Sequence, residues 1–399
     1  MASHSPQLTD SVQLPSQVDL TKTFFGIGAV GLIASFVGYF LNPYQFFYSY
    51  LTSFTFFTSF ALASMIMVMI HHITKSSWGT VLRRIPETIS SNIWIWAIFF
   101  IPILLGMTTL YKWTSTEYVM GDPIMMGKIP YLNEPFFVIR QFIYFGIWGF
   151  LGYKLHKVSI EMDKTNDWGL TALLRKISAP GILIFSITVA FASFDWLMSL
   201  DAHWFSTMFG VYFFAMSFQA LFPALILITF WLHKNGLLKN TITKSHIYDL
   251  GAWFFGFTVF YAYIAFSQFL LIYYANIPEE TLWFYHRLEG SWAIITYSLI
   301  ACRFVIPFVI LLNRDKKHNK TLLITVSVLI IVMHLIELHW IVMPVLHYSG
   351  ISVSWLDITT LVGLGGIFLG LFFRRLRNHK IVPVNDPTLA DSLDKHYHQ

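Results

Sequence analysis

The chain has little of what protein-held redox cofactors or a water-soluble surface require. Cys302 is the single cysteine among 399 residues, which excludes an intrachain disulfide and a cysteine-based metal cluster, and there is no Cys-x-x-Cys-His haem-attachment motif. Asp, Glu, Lys and Arg make up 12% of the residues, too few to coat a soluble globule of this length. The net charge of +5 comes from basic residues scattered over many short segments, so it does not indicate nucleic-acid binding.

What the chain has instead is hydrophobic sequence, which makes up 56% of it and gathers in ten long runs. A helix that spans a bilayer needs about 20 mainly apolar residues. The sequence therefore predicts an all-α integral membrane protein with ten transmembrane helices. We place the spans at Lys22–Leu41, Phe46–Ile70, Ser90–Leu110, Pro135–Leu155, Ser178–Leu197, Thr207–Leu232, Leu250–Tyr274, Ser291–Leu312, Thr321–Val342 and Leu356–Phe373.

The basic residues between the spans predict the orientation. If the N-terminus is cytoplasmic, 21 of the 26 Lys and Arg residues fall on inner segments. Because Lys and Arg concentrate on cytoplasmic loops, both termini are expected in the cytoplasm, with the inner loops against the lipid headgroups. We divide the chain into a polar N-terminal segment (1–21), a ten-helix membrane domain (22–375) and a polar C-terminal tail (376–399).

Spans two to five and six to nine are expected to form two four-helix bundles, flanked by spans one and ten. The tail is expected to be a loosely ordered strap on a partner or on the membrane surface.

Two segments outside the spans have helix signals. Asn276, followed by Pro278 and two acids, predicts an interfacial helix that ends near Leu288 and places Trp283, Phe284 and Tyr285 at headgroup level. Residues 78–87 predict an amphipathic surface helix. Its Val81 and Ile85 would face lipid, and its Arg83 and Arg84 would face phosphates.

Ionisable side chains inside the hydrocarbon are costly and so are candidates for function. Span nine carries His334 and Glu337, which lie one turn apart on one face, and span eight carries Arg303 near its middle. A carboxylate beside an imidazole can relay protons or deprotonate a quinol, and Glu337 is the expected partner of Arg303. The alternative is that these residues form a buried structural pair. A bis-histidine haem is not expected, because His334 is the one histidine placed near mid-membrane.

A second group of polar residues falls in the outer half of the membrane or at its outer boundary. An outer cavity lined by them could hold a polar headgroup or release protons outward. The alternative for Asp201 and Asp357 is a helix cap. Besides Glu337, the group consists of Arg140, Asp195, Asp201, His203, His286, Arg287, Glu289 and Asp357.

The inner half offers fewer candidates. Glu87 lies at the entry of span three. Tyr261, Tyr263, Ser267 and Gln268 of span seven could carry a water wire toward the middle. Ordinary hydrogen bonds between helices explain such residues equally well.

The residues from Phe194 to Gly210 read Phe-Asp-Trp-Leu-Met-Ser-Leu-Asp-Ala-His-Trp-Phe-Ser-Thr-Met-Phe-Gly. This stretch resembles the span-five/six signature of the ActF-type membrane subunit of bacterial alternative complex III. The segments 78–87, 131–140 and 283–287 are also similar to that group. Such subunits are themselves similar to the NrfD/polysulfide-reductase membrane anchors, which have ten helices and two four-helix bundles.

The resemblance implies a subunit of a quinol:cytochrome c oxidoreductase in a bacterial inner membrane, supporting quinol oxidation, proton translocation or both. It implies a quinol such as menaquinol nearby, with haem and iron–sulfur clusters on partner subunits rather than on this chain. The partners would be a sister NrfD-like subunit, a multihaem cytochrome c, an iron–sulfur protein, small membrane subunits, lipids and a terminal oxidase. The alternatives are a stand-alone proton-coupled transporter, which would need helices broken at corresponding positions, and a passive membrane anchor.

Overall fold

The computed structural model describes residues 10–394, whose regular secondary structure is all helical, with no β-strand. Ten helices are long and apolar enough to cross a membrane, which confirms the predicted number of spans. They are α1 (Ser16–Leu41), α2 (Pro43–Thr74), α3 (Arg84–Leu105), α4 (Glu134–Thr165), α5 (Gly169–Leu200), α6 (Phe209–Lys234), α7 (Lys244–Ala275), α8 (Trp292–Leu312), α9 (Lys320–Val345) and α10 (Trp355–Asn378).

Local sequence explains several helix ends. The Asn42 side chain accepts a hydrogen bond from the Gln45 N–H at the start of α2, and Pro43 occupies the first helical position, where a missing N–H costs nothing. At the start of α10, Ser354 and Asp357 cap each other's backbone N–H groups. Asn276 ends α7 in the left-handed conformation instead of capping the next helix.

Two spanning helices are irregular. α3 is interrupted after Ser90 and turns into a 3₁₀ helix over Ala97–Phe100. α8 contains a π-helical stretch over Leu299–Val305, and Arg303 lies within it. A π-helical turn inserts an extra residue into the helix and is frequent at functional sites, because it turns a side chain in a direction that a regular helix would not allow.

Helix α2 lies at the centre of the domain. Of its most apolar stretch 94% is buried within the chain, and α2 contacts α1, α3, α5, α6, α9 and α10. Small hydroxyl residues permit this close packing, since Thr58 and Ser59 donate to carbonyls of their own helix and leave little side chain between neighbours. The helix therefore supplies the surface on which the two halves of the chain meet.

Helices α1 and α10 pack through glycine backbones. A Cβ atom on Gly31 would lie 2.5 Å from the Gly363 nitrogen, and one on Gly28 would lie 2.8 Å from the Ile367 nitrogen. Because the obstructing atoms are backbone atoms, they cannot rotate away as a side chain could. The two helices can approach this closely only where both sequences have glycine.

We expect Gly31→Val to destabilise the domain by about 1–3 kcal/mol, since the added side chain forces α1 away from α10. Thermal unfolding of the purified protein in detergent measures the effect. Gly26→Val is the matched control, because a Cβ at Gly26 has no atom within 4 Å. Equal melting temperatures for the two variants would contradict the close-packing explanation.

A backbone hydrogen bond from the Ile381 N–H to the Val12 carbonyl brings the described parts of the two chain ends together on one side of the domain, called here the terminal face; the other side is the opposite face. The predicted helix after α7 is confirmed at the opposite face as Pro278–Leu288. Its Trp283 is buried within the chain, 3% exposed, and stacks on Trp204 with ring centroids 4.4 Å apart, while Tyr285 stays exposed.

The prediction of a surface helix over residues 78–87 is wrong. Val81 and Ile85 are fully buried, as are the guanidinium groups of Arg83 and Arg84. Sequence alone allowed two interpretations of this segment, because two arginines beside apolar residues suit a lipid surface as well as a buried ionic cluster. The carboxylates that decide between them come from distant parts of the chain.

The prediction of a loosely ordered tail is also wrong for residues 379–394, the part of the tail after α10 that the structure describes. Ile381, Val382 and Leu389 have no exposed surface, and the Ile381 N–H donates to the Val12 carbonyl (2.8 Å). This segment, called here the C-terminal strap, lies across the terminal face and contacts the end of α4 through Asn385.

The strap is held by Asp386, which accepts from Arg83 (2.5 Å) and from the side chain and backbone of Thr388. Burial raises the pKa of Asp386, but the Arg83 charge and these hydrogen bonds outweigh burial and lower it to about 2. A lowered pKa means that the ionised carboxylate stabilises the strap above about pH 4 and that this contribution, about 2 kcal/mol, is lost as the pH falls toward 2.

We expect Asp386→Asn to speed hydrogen exchange in residues 381–394 at neutral pH and to remove the acid-dependent part of that exchange. Hydrogen-exchange mass spectrometry between pH 6 and pH 3 makes the comparison. Asp391→Asn, at an exposed position of the same segment, should behave as the unmodified protein. Acid-dependent exchange that persists in Asp386→Asn would refute this role.

Candidate functional site

The central feature of the site is Glu337, a fully buried carboxylate on α9. Its Oε1 atom accepts from the hydroxyls of Tyr261 (2.6 Å) and Tyr212, and its Oε2 atom pairs with Arg303. Burying a carboxylate in an apolar interior is very costly unless its oxygens are paired and hydrogen-bonded. Three donors from α6, α7 and α8 meet that requirement here, and the predicted Arg303–Glu337 pairing is confirmed.

Arg303 uses every part of its guanidinium group. Its Nε donates to Gln219 Oε1 (2.9 Å), and one Nη donates both to the Met216 carbonyl (2.9 Å) and to the ring of His334 (3.2 Å). The Tyr261 ring lies over the guanidinium carbon at 4.4 Å. Five donors in a rigid planar fork suit such a junction, and a lysine could not make all these contacts.

The neighbours of His334 determine its tautomer. Arginine is only a donor, so Nδ1 of His334 must be the acceptor, and Nε2 then carries the proton. Nε2 donates to Ser59 Oγ (2.8 Å), which in turn donates to the Phe56 carbonyl (2.6 Å). His334 is therefore neutral in this arrangement. Both His334 and Glu337 contact Arg303, so the direct carboxylate–imidazole contact suggested by their spacing is replaced by contact through the guanidinium.

A second buried carboxylate, Asp195 near the end of α5, is surrounded by similar partners. Arg140 binds both of its oxygens at 2.8 Å, and the hydroxyls of Tyr131 and Tyr144 donate to it at 2.8 Å. Gln141, next to Arg140 on α4, contacts the same carboxylate at 3.5 Å and accepts from the indole of Trp196. The bidentate arginine pair is the strongest geometry available to these two groups.

The two clusters follow one pattern. In each half of the chain a helix carries an arginine (α4, α8), the next helix carries its carboxylate (α5, α9), and two tyrosines and a glutamine complete the set. Asp195 lies within two turns of the end of its helix, whereas Glu337 lies deeper in α9. The clusters are separate: their carboxylates share no donor among the hydrogen bonds of residues 10–394.

Polar side chains extend from the Glu337 cluster toward the opposite face. Gln268 lies seven residues after Tyr261 on α7, on the same side of the helix, and is 3% exposed. Ser206 donates to it at 3.5 Å. Tyr263 does not belong to this set, because its side chain is exposed on the outside of α7, and Ser267 is half-buried. The predicted water wire in the inner half is therefore wrong in its placement, because Gln268 lies toward the opposite face, and of its four residues Tyr261 and Gln268 are the buried ones.

Near the opposite face a cavity of about 160 Å³ brings together four residues of the predicted outer group, Asp201, His203, His286 and Arg287. His203 pairs with Asp122 and contacts the Tyr118 hydroxyl (3.0 Å). This cavity is called here the opposite-face cavity. One of its titratable groups, His203, lies three residues before Ser206 in the chain.

Arg287 is held by backbone carbonyls and by a tryptophan ring. It donates to the carbonyls of Trp283, Trp340 and Ile341 at 2.8–3.1 Å, and it stacks over the Trp283 ring at 3.6 Å. Burial lowers the pKa of Arg287 to about 9, against the opposing charge of Asp201. The residue therefore places a positive charge at the wall of the opposite-face cavity.

The remaining predicted residues lie elsewhere. Asp357 caps α10 and accepts from Ser49 (2.5 Å) and Gln45 (3.2 Å), which confirms the capping alternative. Glu289 is exposed. Glu87 lies at the terminal face and accepts from Arg83 (2.9 Å) and from Ser159 (2.8 Å). The expectation of one shared outer cavity is therefore wrong, because these groups divide among several partners.

Sequence reasoning missed the tyrosines that complete each carboxylate, above all Tyr212 and Tyr144, and it missed Gln219. A signal for the Glu337 cluster was present: Gln219 is the one amide in α6 and lies seven residues after Tyr212, so the two share a face of an apolar helix. Polar residues spaced in this way inside a span merit the same attention as charges.

The arrangement around Glu337 can accept, hold and release a proton. A buried carboxylate beside two hydroxyls is a general acid–base group with hydrogen-bonded neighbours through which protons can pass. No protein-family model matches this chain, and no curated protein matches it significantly.

Proposed function

We propose that the chain is an integral membrane subunit of a quinol:cytochrome c oxidoreductase of the alternative complex III type, in which it supports quinol oxidation, proton translocation or both. The observation that carries the proposal is Glu337, a carboxylate with no exposed surface that is hydrogen-bonded to Tyr212 and Tyr261 and paired with Arg303. Besides satisfying the buried carboxylate, the two tyrosine hydroxyls on its other oxygen are groups that can exchange protons with it.

The proposed topology places both termini in the cytoplasm of a bacterial cell, with the domain in the inner membrane. The distribution of Lys and Arg supports it, since 21 of 26 lie on the terminal side of the spans. The proposed architecture is two four-helix bundles, α2–α5 and α6–α9, flanked by α1 and α10. Contacts of α6 with α7 and α9, and of α5 with α2 and α4, support this grouping, as does the tight pairing of α1 with α10.

In the proposed path, protons move between Glu337 and the opposite-face cavity. Arg303 favours the ionised carboxylate, and a proton reaching Glu337 displaces one of its tyrosine hydrogen bonds. Release runs along Tyr261 and Gln268 toward Ser206 and then to the titratable groups Asp201 and His203. Water would have to bridge the step from Tyr261 to Gln268 and the step from Ser206 to the cavity, since no direct hydrogen bond joins these side chains within residues 10–394.

The redox groups are assigned to partner subunits. One cysteine and the lack of a haem-attachment motif leave this chain without ligands for an iron–sulfur cluster or a c-type haem. The proposed partners are therefore a multihaem cytochrome c, an iron–sulfur protein and a sister membrane subunit. A quinol would bind beside or between the membrane subunits.

A proton-coupled transporter is less well supported. Such proteins break helices at corresponding positions of two repeats. Here the irregular helices are α3, the second of its proposed bundle, and α8, the third of its bundle, so the interruptions do not correspond. A passive anchor would need these tyrosines only as donors to the buried carboxylate, and the Glu337→Gln variant distinguishes it from a subunit that moves protons.

Purification of the complex from its native membrane tests the proposal. A tagged chain should purify with c-type haem absorbance and stoichiometric non-haem iron, and the preparation should reduce cytochrome c with a menaquinol analogue as donor. A chain that purifies alone, without haem, iron or quinol oxidation under conditions that keep membrane complexes intact, would overturn it.

A further inference from the structure

The terminal face contains a second cavity that the proposed proton path does not use. It has a volume of about 220 Å³, far more than the roughly 10–15 Å³ that one water requires. Its walls are the end of α2, the segment between α2 and α3, the start of α5 and the C-terminal strap. Its lining includes His71, His72, Lys75, Arg83, Arg175 and Thr388. We call it the terminal-face cavity.

The charge of the terminal-face cavity is positive. Lys75, Arg83 and Arg175 contribute three cations, and Asp386 is the one carboxylate among the residues that line it. Both oxygens of Asp386 are already engaged by Arg83 and Thr388. Arg83 is thereby neutralised, whereas Lys75 and Arg175 form no salt bridge within residues 10–394.

Several buried polar atoms around this cavity have no hydrogen-bond partner in the part of the chain that the structure describes. They are Nδ1 of His71, Nε2 of His72 and Nε of Arg175. The two histidines are 4% and 7% exposed. A buried polar atom without a partner costs about 1–3 kcal/mol, and these three atoms belong to side chains that line one cavity, which indicates that a polar ligand completes it.

We infer that the terminal-face cavity binds a phosphate group, either of an anionic phospholipid headgroup or of free phosphate. A phosphate offers oxygens for Lys75, for Arg175 and for the two imidazoles, and its charge balances the two unpaired cations. The cavity also lies where α2 ends and α5 begins, which the proposed topology puts at the membrane boundary. Trp168 and Leu173, which flank Thr171 in the cavity wall, are 50% and 41% exposed and give an acyl chain an apolar surface beside the charged groups.

The test uses the full chain, delipidated in detergent and measured by native mass spectrometry. Dioleoyl phosphatidylglycerol, dioleoyl phosphatidylcholine and inorganic phosphate are titrated separately. We expect phosphatidylglycerol to bind more tightly than phosphatidylcholine. The double variant Lys75→Gln/Arg175→Gln should weaken its binding by roughly tenfold or more, the effect of losing a charge-assisted hydrogen bond.

The matched control is Lys164→Gln/Lys176→Gln, which removes the same charge from exposed positions on α4 and α5 and should leave binding unchanged. Lys75→Gln alone, at an exposed residue, keeps the test valid if the double variant does not fold. Inorganic phosphate that binds without a lipid preference, and is lost in the double variant, identifies free phosphate as the ligand. Equal binding to the double variant and the control, or no preference for any phosphate anion, overturns the inference.

Discussion

Replacing Arg303 with glutamine is expected to destabilise the membrane domain by about 3–5 kcal/mol, the usual cost of breaking a buried ion pair from one side. The change leaves Glu337 without its cation, frees the Met216 carbonyl and leaves Nδ1 of His334 without its donor. None of these groups can turn to water, because Glu337 and His334 are fully buried. Thermal unfolding in detergent should show a large drop in the midpoint.

The double variant Arg303→Gln/Glu337→Gln separates the charge from the packing. Two neutral amides can hydrogen-bond to each other and to Tyr212 and Tyr261, so much of the lost stability should return. Arg314→Gln, at an exposed position on the terminal face, controls for the loss of an arginine. If the double variant were no more stable than Arg303→Gln, the uncompensated carboxylate would not be the cause of the destabilisation.

Replacing Glu337 with glutamine is expected to have the largest functional effect. The amide has nearly the same shape and keeps hydrogen-bonding atoms for Tyr261 and Arg303, but it cannot carry a proton. Because positioned acid–base groups contribute roughly 10²–10⁴-fold to proton transfer, proton release per quinol oxidised should fall sharply in the assembled complex. The proton-to-electron ratio in proteoliposomes measures it.

Glu279→Gln is the matched control for this experiment, since Glu279 is an exposed carboxylate on the helix after α7. Assembly, judged from the haem content and size of the purified complex, must be the same in both variants. An assembled Glu337→Gln complex with unchanged turnover and unchanged proton release would leave Glu337 with a structural role only.

Much of the fold was predictable because its signals are local. The number of spans follows from hydrophobic length, and the Arg303–Glu337 pairing follows from two costly charges on helices joined by a short loop. The start of the helix at Pro278 follows from the position of that proline and the acids after it. The information that determines each of these features lies in one segment or in two adjacent segments of the chain.

The errors have a common physical origin. Arg83 and Arg84 were predicted to be surface residues because two carboxylates that bind them, Asp386 for Arg83 and Asp163 for Arg84, lie far away in the chain. The outer polar residues were predicted to line one cavity because the depth of each residue in the membrane can be counted along its helix. The direction in which each side chain points around the helix depends on how the helices pack. The role of the tyrosines was not predicted. Burying an uncharged hydroxyl in a span costs far less free energy than burying a charge, so a tyrosine there does not by itself indicate a functional site.

The sequence by itself determined that this is a ten-helix membrane protein and which helices carry buried charges, since transfer into a bilayer depends on the composition of each segment. Only the tertiary structure decided which charges meet. It separated Asp195 from Glu337, placed Arg303 between Glu337 and His334, and turned the C-terminal strap into one wall of a cationic cavity. The reason is that helix rotation and helix neighbours come from packing over the whole domain, which no single segment encodes.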